Sequence, residues 1–248
     1  MVVGPGGFSN TNWQTDQSFV FVVMAMLAGP SVAGLLMTGI VDGRTGFYKL
    51  LSRLLKWRVG IRWYAAALLP APLLSLIVLF ALSLPSPIFT ATDKAAVLLS
   101  GIMAGLTTVF EEIGWTGFAV PRLRRRYSIF ATGLIVGSLW GIWHLLQQVY
   151  ISGSYTGGIP MPLYLSVAIF NTVAGLTAYR ILLVWIYDRT GSLLVTTLMH
   201  ASLTASNIFI FRPEAIGVPF LISGLLFTAA QWALVAGVAA VNRGRLSR

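Results

Sequence analysis

The chain has 248 residues, of which 56% are hydrophobic and only 10% are charged, and its mean hydropathy is +0.81. A soluble domain carries about 25% charged residues, so a soluble fold is excluded. The formal net charge of +10 does not indicate a nucleic-acid-binding protein. The basic residues lie in short clusters between long apolar runs, which is the pattern of a membrane protein.

Seven apolar runs are each close to the ~20 residues that a helix needs to cross a bilayer. Because backbone groups in lipid must be satisfied within the spanning segment, these runs are predicted to be helices. We expect an all-α, polytopic transmembrane bundle that forms one domain over residues 1–248, with about seven spans, or eight if a short or re-entrant segment is present. The runs are 19–41, 63–84, 95–118, 128–150, 162–187, 192–211 and 218–241.

The loops between these runs predict the orientation of the bundle. Basic residues concentrate on the cytoplasmic side of membrane proteins. One side of the predicted bundle carries 15 of the 17 Lys and Arg residues, including Arg180 near the end of the fifth run, whereas only Lys94 and Arg212 lie on the other side. The N-terminus is therefore predicted outside and the C-terminus in the cytoplasm, and the protein is expected to be a multi-pass protein of the cell membrane (plasma or inner).

Two further features concern the N-terminal part of the chain. The first 18 residues contain no Lys or Arg and precede a run long enough to span, which indicates a membrane anchor and not a cleaved signal peptide. Residues 42–62 mix basic side chains with leucines and a tryptophan. This pattern fits either a basic cytoplasmic loop or an interfacial helix against anionic membrane lipids.

Four ionisable residues lie inside apolar runs, where a charged group is costly: Glu111, Glu112, His144 and His200. If the third and fourth runs form a hairpin near Tyr127, then Glu111, 16 residues before it, and His144, 17 residues after it, lie at similar depth. We therefore expect Glu111, His144 and His200 to meet around a wet cavity within the core helices, residues 95–210.

Two mechanisms suit this set of residues. Glu111 and His144 can deprotonate a water for attack on a carbonyl, while His200 and a neighbouring Asn or Thr donate hydrogen bonds to the oxyanion. Thr204 and Asn207 lie on the same helical face as His200. Alternatively, Glu111, His144 and His200 can hold a divalent metal such as zinc that activates the water. The sequence leaves both mechanisms open.

Three segments resemble the motifs of the CAAX-protease and bacteriocin-processing family, whose type II CAAX prenyl endopeptidases are intramembrane proteases. Residues 111–123, from Glu111-Glu112 to Pro-Arg-Leu, resemble its EExxxR region. Residues 140–144, Trp-Gly-Ile-Trp-His, resemble its second motif, and residues 199–204, Met-His-Ala-Ser-Leu-Thr, resemble its third. The resemblance covers roughly residues 25–210.

This resemblance implies a helical membrane bundle with a cavity open towards the cytoplasm and the membrane. It also implies that Glu111 is the general base with His144, that Glu112 supports the site, and that His200 helps to form the oxyanion site. Two positions depart from the family pattern. The motif arginine is replaced by Thr116, so Glu112 is predicted to lack a cationic partner. The asparagine of the third motif is replaced by Thr204, and Asn207 follows one turn later.

The sequence therefore predicts an intramembrane endopeptidase that acts on a peptide or on a prenylated or transmembrane protein. Two alternatives remain open at this point. Loss of the motif arginine favours a non-catalytic membrane scaffold or immunity-type protein of the same family. A proton-coupled transporter would use the two glutamates to carry protons, although the sequence shows no inverted repeat.

Overall fold

The computed structural model describes residues 17–86, 94–146, 157–213 and 215–242, and these ranges are built from helices. The prediction of an all-α fold is confirmed. Two segments are π-helical, with hydrogen bonds that skip one more residue than in an α-helix. The elements, in chain order, are α1 Gln17–Leu54, α2 Ile61–Leu68, α3 Pro70–Ser83, α4 Lys94–Gly114, the first π segment Trp115–Ala119, α5 Val120–Leu123, α6 Ile129–Trp143, α7 Met161–Thr190, α8 Leu193–Leu203, the second π segment Thr204–Ile210 and α9 Gly217–Val241.

Four helical stretches in the described part of the chain are long and apolar enough to cross a membrane: Phe21–Leu54, Ile61–Ser83, Met161–Thr190 and Gly217–Val241. Ile129–Trp143 is also apolar but shorter. The membrane class predicted from composition is therefore confirmed, whereas the number of seven spans and the orientation stay predictions.

The basic segment after the first apolar run is helical up to Leu54. Gly43 has φ 57° and ψ −150°, a backbone conformation that favours glycine, and it bends α1 within its length. Beyond the bend, Arg53 donates hydrogen bonds to the Tyr187 hydroxyl (2.7 Å) and to the Gly117 carbonyl (3.0 Å). This part of residues 42–62 is thus helical, and the choice between a cytoplasmic loop and an interfacial helix against lipid stays a prediction.

A row of three glycines on α6 brings α6 and α7 together. Gly133, Gly137 and Gly141 are buried one turn apart, and a Cβ atom on any of them would lie 2.6–2.7 Å from a Cα atom of α7. The facing α7 residues are Ile181, Thr177 and Val173, respectively, so the two helices run antiparallel. Small residues at such spacing allow close backbone approach in membrane helices, where packing rather than the hydrophobic effect drives association.

A second close approach lies beside the acidic pair. A Cβ atom on Gly114 would lie 2.2 Å from the Pro30 carbonyl oxygen, and one on Gly34 would lie 2.7 Å from the Gly114 Cα. The backbones of α1 and α4 therefore touch just after Glu112. This contact fixes the helix that carries both glutamates.

We expect Gly137→Ala to destabilise the protein, by about 1–3 kcal/mol, because the added methyl group overlaps the α7 backbone. Gly237→Ala on α9 is the matched control, since a Cβ atom there meets nothing within 4 Å. In an open helical position, alanine stabilises relative to glycine by about 0.5–1 kcal/mol. Thermal unfolding in detergent should thus shift in opposite directions for the two variants. Equal shifts would contradict the role given to the glycine row.

Candidate active site

Glu112 lies at the centre of a buried network of polar side chains. The side chains of Glu112 and Arg180 are both 0% exposed, and Arg180 Nη1 lies 2.9 Å from both carboxylate oxygens of Glu112. His200 Nδ1 lies 2.9 Å from Glu112 Oε1, and the Thr116 hydroxyl donates to Glu112 Oε2. The carboxylate therefore contacts side chains from α7, α8 and the first π segment.

The position of Arg180 corrects one prediction, that Glu112 lacks a cationic partner. This prediction is wrong, because the guanidinium of Arg180 is buried against Glu112, ten residues before the end of α7. The side of the membrane on which Arg180 lies stays a prediction. Thr116, at the motif arginine position, lies 3.4 Å from Arg180 Nη1 through its hydroxyl oxygen. A cation from another helix thus takes the place expected for the motif arginine.

The sequence did contain evidence for this pairing. α4, the first π segment and α5 form one continuous helical stretch that ends at Leu123, 11 residues after Glu112. Arg180 is ten residues before the end of α7. With a rise of about 1.5 Å per residue, both lie roughly 15 Å from the ends of their helices. An arginine at that depth in an apolar helix requires an anionic partner.

Glu111 has a different environment from its neighbour. Its Oε2 accepts a hydrogen bond from Trp140 Nε1 at 2.9 Å, and the residue is 7% exposed. Trp140 is itself fully buried, with the Arg180 guanidinium 4.0 Å above its ring. Trp140 contacts Glu111 through its Nε1 and His144 through its carbonyl oxygen, so the two side chains share one partner residue. Adjacent helical residues point about 100° apart, and here the two carboxylates have separate partners.

Hydrogen bonds fix the tautomers of both histidines. His144 Nδ1 lies 2.9 Å from the Trp140 carbonyl oxygen, which can only accept, so Nδ1 carries the proton. His200 Nδ1 faces the Glu112 carboxylate, whose ion pair with Arg180 marks it as an acceptor too. In the neutral form of each ring, Nε2 is then an acceptor. For Nε2 of His200 to donate, the ring must be protonated, and Glu112 is a counter-ion for that form.

Both histidines line a cavity of about 280 Å³ between α3, α6, α7, α9 and the second π segment. Thr204 and Asn207 also line it, although Asn207 is largely exposed. The second π segment begins at Thr204, one turn after His200, and the first begins three residues after Glu112. π-helical turns are frequent at functional sites, and they change which side chains share a helix face. The α-helical spacing that placed Asn207 on the same face as His200 therefore does not hold in the structure.

The structure lends no support to the predicted metal set. In residues 17–86, 94–146, 157–213 and 215–242, no group of three or more His, Cys, Asp and Glu side chains is arranged to hold a metal ion. Glu111 is bonded to Trp140, and His200 is bonded to Glu112. Gln147 and Gln148, which follow His144 by one turn in the sequence, lie outside the described residues.

Comparison with known proteins matches the part of the chain that carries these residues. Residues 90–206, which contain Glu111, Glu112, His144, Arg180 and His200, match the model of the Rce1-like type II CAAX prenyl endopeptidases. These two matches support the resemblance to the CAAX-protease and bacteriocin-processing family that the sequence motifs indicate. A 65-residue segment is 35% identical to CAAX prenyl protease 2 of Methanococcus maripaludis and covers 26% of this chain. The aligned segment spans only 22% of that relative.

We expect Glu112→Gln and Arg180→Gln each to destabilise the protein by about 3–5 kcal/mol, because each leaves a buried charge unpaired. The double variant should lose less than the sum of the two single variants, as in other coupled pairs. Arg189→Gln is the control: Arg189 lies at the exposed end of the same helix, where it bonds Asn242, and its replacement should cost under about 0.5 kcal/mol. Chemical or thermal unfolding in detergent measures the loss of stability in the two single variants, the double variant and the control. Additive losses would contradict the pairing.

Proposed function

We propose that this protein is an intramembrane endopeptidase that hydrolyses a peptide bond with a water activated by Glu111 and His144. The observation that carries the proposal is the unequal bonding of the two adjacent carboxylates. Glu112 is occupied by Arg180, His200 and Thr116, whereas Glu111 is bonded to Trp140 alone among the contacts in the described residues. Glu111 thus retains acceptor capacity for a water.

The chemistry follows from these contacts. Glu111 removes a proton from the water while His144 Nε2 accepts the water's second hydrogen bond, and the water oxygen attacks the carbonyl carbon. His200, protonated and paired with Glu112, donates from Nε2 to the oxyanion that forms, with Thr204 as a second donor. When the carbon–nitrogen bond breaks, the proton passes from Glu111 to the departing amine nitrogen. The products are a carboxylic acid and an amine, and the acid becomes a carboxylate when its remaining proton passes to His144 Nε2, which already accepts a hydrogen bond from that oxygen.

The substrate that we propose is a prenylated or transmembrane protein within the bilayer. The relative from Methanococcus maripaludis is named as a CAAX prenyl protease, and the matched family is described as CAAX prenyl endopeptidases. The lining of the cavity is largely apolar, with polar groups near the two histidines. A peptide carrying a lipid or an apolar helix suits such a cavity, because it presents both apolar surface and a carbonyl group.

The two alternative functions have lost their supporting observations. The scaffold alternative depended on a Glu112 without a cationic partner, and Arg180 supplies that partner. The transporter alternative required both glutamates to take up and release protons. Glu112 is fully buried in an ion pair, which suits a fixed charge better than a carried proton.

We expect Glu111→Gln to lower the rate of peptide cleavage by about 10²–10⁴-fold, because glutamine keeps the shape and can accept the Trp140 hydrogen bond but cannot take a proton. The measurement is cleavage of a farnesylated peptide ending in a CAAX sequence, and of a transmembrane peptide, by the protein in liposomes. Asp188→Asn is the matched control, since it removes a carboxylate that bonds Arg124 at the exposed end of α7. A Glu111→Gln variant with more than about a tenth of the wild-type rate would refute this role.

Metal chelators provide a separate test of the mechanism. Removing an activating zinc abolishes the supply of metal-bound hydroxide. If Glu111 and His144 activate the water directly, then 1,10-phenanthroline and EDTA leave the cleavage rate within about twofold. Loss of cleavage that added zinc restores would instead assign the water to a metal.

A further inference from the structure

The cavity has a second polar wall that the proposed mechanism does not use. Ser75 on α3, Asn171 on α7 and Gln231 on α9 all line the same cavity as His144 and His200. Ser75 and Gln231 lie outside the segment that matches the family model, residues 90–206. The family motifs therefore assign them no role. All three side chains are neutral, and two are carboxamides, which can donate and accept hydrogen bonds.

These polar groups are buried with unused hydrogen-bonding atoms. Ser75 is 3% exposed and Gln231 is 2% exposed. Ser75 Oγ, Asn171 Oδ1 and Gln231 Oε1 have no hydrogen-bond partner among the described residues. A buried polar atom without a partner is costly, so three such atoms in one cavity are available to bond a ligand that enters it.

The helix register places this wall beside the histidines. The α6–α7 pairs Gly137–Thr177 and Gly141–Val173 fix an antiparallel register in which His144 lies level with residues 170–171. Asn171 is therefore at the depth of His144. Gln231 lies next to the following turn of α7, since a Cβ atom on Gly175 would lie 3.0 Å from Gln231 Oε1. A ligand whose carbonyl reaches the histidines thus extends along Asn171 and Gln231.

We infer that Ser75, Asn171 and Gln231 form a subsite that binds the main-chain amide groups of the substrate peptide next to the bond that is cleaved. These three side chains carry no charge, which suits peptide N–H and C=O groups, and the cationic residue of the cavity lining, Arg212, is not one of them. A peptide that enters the cavity loses its hydrogen bonds to water, and carboxamides can replace both the donors and the acceptors. This inference rests on the proposed function, because it takes the cavity to be the peptide-binding site.

The test measures binding separately from cleavage. A fluorescent farnesylated peptide ending in a CAAX sequence is titrated against the Glu111→Gln protein in detergent, and the Kd is compared with that after adding Gln231→Met or Asn171→Leu. Both substitutions keep the size of the side chain and remove its polar group. We expect each to raise the Kd about tenfold, the weakening expected when one or two hydrogen bonds are lost.

Trp232→Phe is the matched control for both variants. Asn171 Nδ2 donates to the Leu221 carbonyl of α9 at 3.4 Å, and Trp232 Nε1 donates to the Ala174 carbonyl of α7 at 3.2 Å. Trp232 therefore also links α7 and α9, but it does not line the cavity. If loosening of the α7–α9 contact caused the effect, Trp232→Phe would raise the Kd equally, and the inference would be overturned. A Kd that stays within twofold in both Gln231→Met and Asn171→Leu would also overturn the inference, because that result is expected if only water occupies the subsite. The absence of any peptide binding would overturn it too.

Ester analogues of the peptide identify the bonded groups. In each analogue one amide N–H flanking the cleaved bond is replaced by an ester oxygen, which removes a single donor. The analogue that lacks the N–H bonded by Gln231 should bind the protein with an unaltered subsite about tenfold more weakly than the parent peptide does. Its Kd should not rise further when Gln231→Met is added, because the bond is already lost. If the effects of the ester and of Gln231→Met on the binding free energy add fully at every position tested, the inference is overturned. Failure of the wild-type protein to cleave the peptide counts against the proposed function and leaves these binding results standing.

Discussion

The ion pair between Glu112 and Arg180 is the constraint on which the rest of the site depends. Each charge alone is costly inside an apolar bundle, and removal of either partner leaves the other uncompensated. Both side chains are fully buried, so the pair has no alternative partner in water. The Glu112 carboxylate oxygens also form hydrogen bonds with His200 and Thr116. One buried charge pair therefore fixes the relative positions of α4, α7 and α8.

The pair can form because two helices approach closely. The glycine row of α6 brings its backbone against α7, which places the Arg180 guanidinium over the Trp140 ring. Trp140 then donates to Glu111, and its carbonyl orients His144. Packing of small residues thus determines the position of the indole. The indole in turn connects the buried ion pair with the carboxylate and the histidine that we propose to act on water.

Much of the architecture could be predicted from the sequence because it depends on local composition. Apolar runs of membrane-spanning length identified the helices, and the cost of charge in lipid singled out Glu111, Glu112, His144 and His200. The pairing of Arg180 was missed, since Arg180 was assigned to the end of the run 162–187 together with the loop residues, whereas the helix continues to Thr190. The two π segments were also missed, because hydrogen-bond slippage within a helix depends on tertiary packing and leaves no periodicity in the sequence.

The relation between Thr116 and Arg180 shows why a linear motif is an incomplete description of a buried site. A carboxylate in an apolar interior requires a cation within hydrogen-bonding distance, but it imposes no condition on where in the chain that cation lies. An arginine one turn after Glu112 would meet the requirement within its own helix. Arg180 meets it from α7, and the shorter Thr116 leaves space for the guanidinium while adding a hydrogen bond. The consequence is that the support of Glu112, and through it the orientation of His200, depends on the α6–α7 packing rather than on α4 alone.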